Sequence, residues 1–180
     1  MSKTNLYLAN QDILCILKEF KRIGWKKLKD QTIHRVAYLA KVLYSFTNPD
    51  KNIFDYFIFS PYLTGPFSTL IENSLTDLVS NDYVILSDEG SYGFRKMNDL
   101  VEVDQKKYQW IKTIILILGK YGEDKVFGFT INDPLYNEAV LTNSQKELDT
   151  TSPDNATIEY LNKFKGVFEK ELGEDHQIND

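Results

Sequence analysis

Apolar residues recur every three to four positions along several stretches of this chain. Ile13, Leu14, Ile16, Leu17, Phe20 and Ile23 make one face of a first helix over 10–23. Asn10 stands where an N-cap belongs and Gly24 where a helix stops. Ile33, Val36, Ala37, Ala40, Leu43 and Tyr44 repeat the spacing in a second helix, with Asp30 or Thr32 as its cap and Asn48-Pro49 as its end. "IFDYFIFSPYL" is aromatic and β-prone, which predicts a short strand or extended segment. Phe67, Leu70, Ile71, Leu75, Leu78 and Val79 face inward on a third helix, opened by Gly65-Pro66 with Pro66 at its first position. "YVILSDEGSYGFRKM" follows as two β-rich runs around Asp88-Glu89-Gly90, a hairpin.

Helix, extended piece, helix and hairpin in this order predict a winged helix-turn-helix core in a mainly α (α+β) fold with additional C-terminal helices. A helix over 104–118 is apolar on more than one side, through Trp110, Ile111, Ile114, Ile115, Ile117 and Leu118, and should lie between layers or against a partner. Asp133 and Pro134 open a short helix. Residues 1–141 thus form a winged-helix domain with a helical extension, and the polar stretch 142–154 is a linker. A last amphipathic helix over 155–173 carries a narrow stripe of Ile158, Leu161, Phe164, Phe168 and Leu172. It reads as a docking element or as a helix folding back on its own domain.

The 180 residues carry a net charge of −5, unevenly placed. Residues 1–50 hold nine basic against four acidic side chains; the rest hold twelve against twenty-two. Two faces with different partners are expected. One cysteine, Cys15, sits among apolar neighbours as a core residue and suits a reducing compartment. The first residues lack the apolar run of a signal peptide, and the most apolar segment falls short of the ~20 residues of a membrane helix. A cytoplasmic protein is expected.

No nucleophile elbow, phosphate-cradling glycine loop or metal-ligand spacing of His and Cys occurs. His34 is placed on the outer side of the second helix, and His176 lies in the tail. No catalytic residue, metal or cofactor is expected, so function should reside in surfaces.

DNA-reading helices use Arg, Lys, Asn and Gln. The outward positions of the third helix are Ser68, Thr69, Glu72, Asn73, Thr76, Asp77, Ser80 and Asn81, with no base among them. The hairpin tip adds Asp88 and Glu89, which phosphate would repel. This face, with Glu72 and Asp77, should meet protein or solvent. The connector after the first helix differs: Lys18, Lys21, Arg22, Lys26, Lys27 and Lys29 surround Trp25. Such a segment tracks nucleic acid, docks on an acidic protein or is simply solvated.

"QTIHRVAYLAKVLY", "FDYFIFSPYLTGPFSTLIENSLTDLVSNDYV" and "INDPLYNEA" together resemble the YwgA-like small proteins, especially the middle components of ABC-three-component antiphage systems, including the Lamassu-type small subunit. The matching residues are Tyr38-Leu39, the turn Tyr62-x-x-Gly65-Pro66-Phe67-Ser68, the leucine-rich helix after it, and Asp133-Pro134-x-Tyr136. The resemblance implies a non-catalytic adaptor that joins an SMC-like ATPase to an effector such as a nuclease, and it carries over no catalytic residue. Phe164, Phe168, Leu172, Glu72 and Asp77 are then the expected partner contacts. Lys21, Arg22, Lys26, Lys27 and Lys29 are the possible nucleic-acid contacts, and a DNA-binding regulator is the alternative.

Overall fold

The computed structural model describes residues 3–48, 52–96, 104–143 and 147–149, together with 158–160, 162, 163, 166 and 170. The order is α1 (Lys3–Arg22), β1 (Leu28–Lys29), α2 (Asp30–Thr47), β2 (Ser60–Tyr62), β3 (Gly65–Phe67), α3 (Thr69–Ser80), β4 (Val84–Leu86), β5 (Ser91–Phe94), α4 (Gln105–Tyr121), α5 (Glu123–Ile131) and α6 (Pro134–Leu141). The protein is mainly helical with two small antiparallel sheets. One has the order β1-β5-β4, so that the return strand of the β4–β5 hairpin lies between β4 and β1. The other is the β2–β3 pair.

The apolar stripes read from the sequence close into one core. Ile13, Leu17 and Phe20 of α1, Ile33 and Leu39 of α2, Ile71 and Leu75 of α3, and Ile111, Ile115 and Leu118 of α4 are all buried in one cluster. Each such side chain contributes about 1.5–3 kcal/mol relative to an exposed one. Ile111, Ile114, Ile115 and Leu118 lie in the core and Trp110 packs on it, its indole N–H donating to the Ala40 carbonyl at 3.0 Å. That accounts for the breadth of the apolar surface on α4.

Several boundaries differ from the expectations. α1 begins at Lys3, not at Asn10, because Leu6 and Ala9 extend the buried stripe by another two turns. Asn10 is no cap; its side chain bonds Asp77 Oδ2 at 2.7 Å and Ser74 Oγ at 2.5 Å, tying α1 to α3. The N-cap of α2 is Lys29, and neither Asp30 nor Thr32 holds that place. Gly65 and Pro66 do not open α3. They form β3, with Pro66 opposite Pro61. Neither proline has an N–H to give, so the hydrogen bonds of this ladder fall to the flanking pairs. α3 starts after Ser68. α4 passes Gly119 and ends at Gly122, whose φ of +78 stops it. α5 was not anticipated, because "EDKVFGFTI" has a central glycine and no clean stripe. α6 follows the expectation: Asp133 caps it by accepting from the Leu135 amide at 3.0 Å, and Pro134 is in the first turn.

Within the expected linker, Leu148 is buried and its N–H donates to the Phe59 carbonyl at 2.8 Å. Part of that segment is therefore anchored to the domain. No helix among the described residues is long and apolar enough to cross a membrane.

Candidate interaction surfaces

The connector lies where α1 hands over to the β1-β5-β4 sheet. Gly24 takes a φ of +101, which turns the chain out of the helix and leads it into β1. Lys21, Arg22, Lys26, Lys27 and Lys29 are all exposed. Two of them are engaged: Lys21 Nζ donates to the Phe94 carbonyl at 3.2 Å, and Arg22 pairs with the buried Glu19 carboxylate at 3.2 Å. Lys26, Lys27 and Lys29 make no ion pair among the described residues. Trp25 is half-buried against Phe20, with ring centroids 5.0 Å apart. The indole thus belongs to the core, which leaves the lysines as an edge of charge without a stacking platform.

The face of α3 is less acidic than its sequence. Thr69, Asn73, Thr76, Ser80 and Asn81 are exposed, but Ser68 is buried, contrary to expectation. Glu72 and Asp77 are half-buried and held by the fold. Asp77 accepts from Asn10 and, at 3.2 Å, from Asn81. Glu72 Oε1 lies 2.8 Å from His34 Nε2. His34 itself is buried between α2 and α3, not on the outer side, and stacks on Phe67 at 5.0 Å. Its Nδ1 accepts from the Ser68 amide at 3.1 Å, so the ring proton sits on Nε2 and points at Glu72. Protonating Nδ1 would set two donors against each other. Burial, the largest cause, holds the His34 pKa below its ordinary value, and Glu72 only partly opposes this. Asp88 and Glu89, at the β4–β5 tip, are exposed and without an ion pair among the described residues.

The β2–β3 hairpin is supported from two helices. Arg35 of α2 reaches out to donate from Nη2 to the Thr64 carbonyl at 2.5 Å, with its guanidinium over the Phe127 ring at 4.2 Å. The Tyr136 hydroxyl of α6 donates to the Tyr62 carbonyl at the end of β2. Gly65 has a φ of +132, and a Cβ there would meet Arg35 Nε at 3.1 Å. Between these supports the turn presents Leu63, 88% exposed. Behind it the Tyr38 hydroxyl donates to Asp133 Oδ2 at 2.6 Å. Tyr38, the Tyr62–Ser68 turn, Asp133 and Tyr136 thus meet at one place. Arg35 and Leu63 were missed by the sequence reading; an arginine beside an apolar helical stripe was the available signal.

A second buried polar group joins α1 to α4. The Tyr56 hydroxyl donates to Asp12 Oδ2 and accepts from Lys107 Nζ at 2.6 Å, with Lys107 Nζ 3.7 Å from Asp12. Burial pushes the Asp12 carboxyl up to about 6, against the pull of Lys107 and Tyr56. Burial likewise pushes the Cys15 thiol up to about 12, which keeps it protonated and inert.

Of the C-terminal helix, Tyr160 packs on the core and its hydroxyl donates to the Phe129 carbonyl of α5. The beginning of this helix therefore rests on its own domain. Phe164, Phe168 and Leu172 lie outside the described residues. Among the described residues no group of three or more His, Cys, Asp or Glu converges as a metal site would require. Comparison with family models, with curated proteins and with solved structures returns no match to the chain. The fold and its surfaces alone define an α+β protein with an exposed Leu63 turn, a lysine edge and an acidic hairpin tip.

Proposed function

We propose that this protein is a non-catalytic adaptor subunit of a cytoplasmic bacterial antiphage complex, built on a winged-helix core, that bridges an SMC-like ATPase and an effector such as a nuclease. The winged-helix reading draws support from connectivity: β1 precedes α2, the β4–β5 hairpin follows α3, and β5 pairs with β1. The observation that carries the adaptor reading is the chemistry of the face a DNA-reading winged helix would use. α3 exposes hydroxyl and amide side chains with no base, and the tip of the hairpin carries Asp88 and Glu89. A phosphate backbone would gain no counterion release there and would meet two carboxylates. The turn that presents Leu63 favours protein docking, since its backbone is held on either side by Arg35 and Tyr136 and an exposed apolar residue gains by burial. The affinity-tagged full chain, purified from its native host, should bring down a large coiled-coil ATPase and a nuclease-like subunit in fixed ratio. Purification of the chain alone, under conditions that preserve other complexes, would reject the adaptor reading.

The lysine edge favours a second reading, a winged-helix DNA-binding regulator, in which Lys26, Lys27 and Lys29 contact phosphate. Tight, sequence-selective binding to duplex DNA that vanished on mutating Asn73 or Thr76 would establish the regulator in place of the adaptor.

A further inference from the structure

A cleft of about 420 Å³ opens where the head of α3 faces the segment leading into β2 and the residues beside Leu148. Clefts of this size take small molecules. One end of it is the N-terminus of α3. The Ile71 and Glu72 amides donate to the Ser68 carbonyl, at 3.0 and 3.3 Å. The Thr69 and Leu70 amides have no partner among the described residues, and both residues line the cleft. Free amides at the positive end of a helix favour an anion. The N-cap residue Ser68 does not occupy them, since its side chain makes no cap bond. Ser68 lines the cleft too, is 1% exposed, and its Oγ has no hydrogen-bond partner. A buried hydroxyl left unpaired costs folding free energy, so it points to a partner from outside the chain. The other end is acidic. Glu147 lines the cleft, is exposed, and makes no ion pair among the described residues. Asp55 and Asp149 stand with it around Lys41, so three carboxylates outweigh one ammonium there. Ile58, 50% exposed, Phe67 and Leu70 give the cleft an apolar wall.

We propose that this cleft binds a free dipeptide with apolar side chains. Its carboxylate sits on the Thr69 and Leu70 amides beside Ser68 Oγ, its ammonium faces Glu147, and its side chains lie against Ile58 and Phe67. The charges select this class of ligand. A simple anion would be repelled at the Glu147 end and a simple amine at the helix end, whereas a zwitterion satisfies both. Length selects the number of residues. A sphere of the cleft's volume is about 9 Å across, and two extended residues span about 7 Å. In a single amino acid the ammonium and the carboxylate share one Cα and cannot reach both ends. This inference does not rest on the adaptor reading.

Titration of the full chain with leucyl-leucine, followed by heteronuclear NMR, tests it. Binding should saturate with a Kd below about 1 mM. The Thr69 and Leu70 amide protons should move downfield as they take up the carboxylate. Leucyl-leucinamide, which has no carboxylate, should bind at least about tenfold more weakly. N-acetyl-leucyl-leucine, which has no ammonium, should lose about threefold, and so should leucyl-leucine with the Glu147→Gln variant. In that variant acetylation should cost nothing further, because both changes remove the same interaction. Ser68→Ala removes no side-chain bond of the fold, so it should weaken binding about threefold without lowering the thermal midpoint. Glu147 is exposed, so Glu147→Gln should keep the fold, and it decides the matter if Ser68→Ala fails to fold. No saturation up to about 10 mM would overturn the proposal. So would shifts that leave Thr69 and Leu70 unmoved. Equal binding of the acetylated peptide would also overturn it, and would mark a seat for the C-terminal tail of another protein.

Discussion

The Tyr38 hydroxyl and the Asp133 carboxylate, one on α2 and the other at the head of α6, meet at 2.6 Å inside the protein. Both residues are fully buried, and Asp133 also caps α6 through the Leu135 amide. One carboxylate therefore fixes a helix start and anchors it to the core. Asp133→Ala removes the cap, worth ~1 kcal/mol, and strands the Tyr38 hydroxyl, at about 1–3 kcal/mol more. Tyr38→Phe leaves the cap in place but strands one oxygen of the buried Asp133 carboxylate, at about 1–3 kcal/mol. Urea unfolding measures both losses; either variant as stable as wild type would mean that the buried pair contributes nothing.

Gly65→Ala should loosen the β2–β3 hairpin. The φ of +132 is one that side chains rarely adopt, and the added Cβ would press on Arg35 Nε. Backbone strain of this kind costs on the order of 1–3 kcal/mol. Thermal unfolding should show the loss, and proteolysis near Leu63 should speed up. Full stability in the variant would show that the tight turn is not a structural requirement.

The buried Asp12 makes stability depend on pH. Its folded pKa, about 6, lies above the ordinary carboxylate value of 3.8. The folded state then holds its proton more tightly than the unfolded state. The contribution is fully present below about pH 4 and is lost as pH rises through 6, by on the order of 3 kcal/mol. His34 works in the opposite direction: its lowered pKa gives stability above pH 6.5 that is lost as pH falls below it. Asp12→Asn should therefore remove a rise in stability on going from pH 6 to pH 4 and leave the His34 decline visible. Identical pH profiles for the two proteins would contradict the raised pKa.

Any duplex-DNA binding should run through the lysine edge. The isolated chain should bind at non-specific strength, roughly 10⁻⁴–10⁻⁶ M at physiological salt. Lys26→Glu, Lys27→Glu and Lys29→Glu together should abolish this and flatten its salt dependence. Glu72→Ala with Asp77→Ala should not weaken it, although the loss of the His34 and Asn10 contacts should lower stability. Retained binding in the triple variant would place the contact elsewhere.

The helices that close the core were legible because burial imposes a period. Ile13, Leu17 and Phe20, or Ile71, Leu75 and Leu78, each mark an inward face wherever the chain is helical. The β4–β5 hairpin was legible from Asp88-Glu89-Gly90 between β-rich runs, and α6 from Asp133-Pro134. What was not legible depended on distant partners. Pro66 reads as a helix start until Pro61 is seen across from it. His34 reads as outward until α3 offers Glu72 and the Ser68 amide. Glu72 and Asp77 read as free acids for the same reason. Of the expected surfaces, the lysines and the tip acids stand exposed as the sequence indicated, whereas the Leu63 turn emerged only from the contacts of Arg35 and Tyr136.

The Asp12–Tyr56–Lys107 group has a consequence for dissecting the chain. A fragment ending after β5 would keep the first three helices and both small sheets, yet it would lose Lys107 and the apolar face of α4. Asp12 would then be left in a greasy surface without its cation, and α2 would lose the Asp133 partner of Tyr38. The first half is therefore no portable module. Transplanted as a fusion or expressed alone, it should clump or unravel, and the smallest well-behaved piece should extend at least through α6.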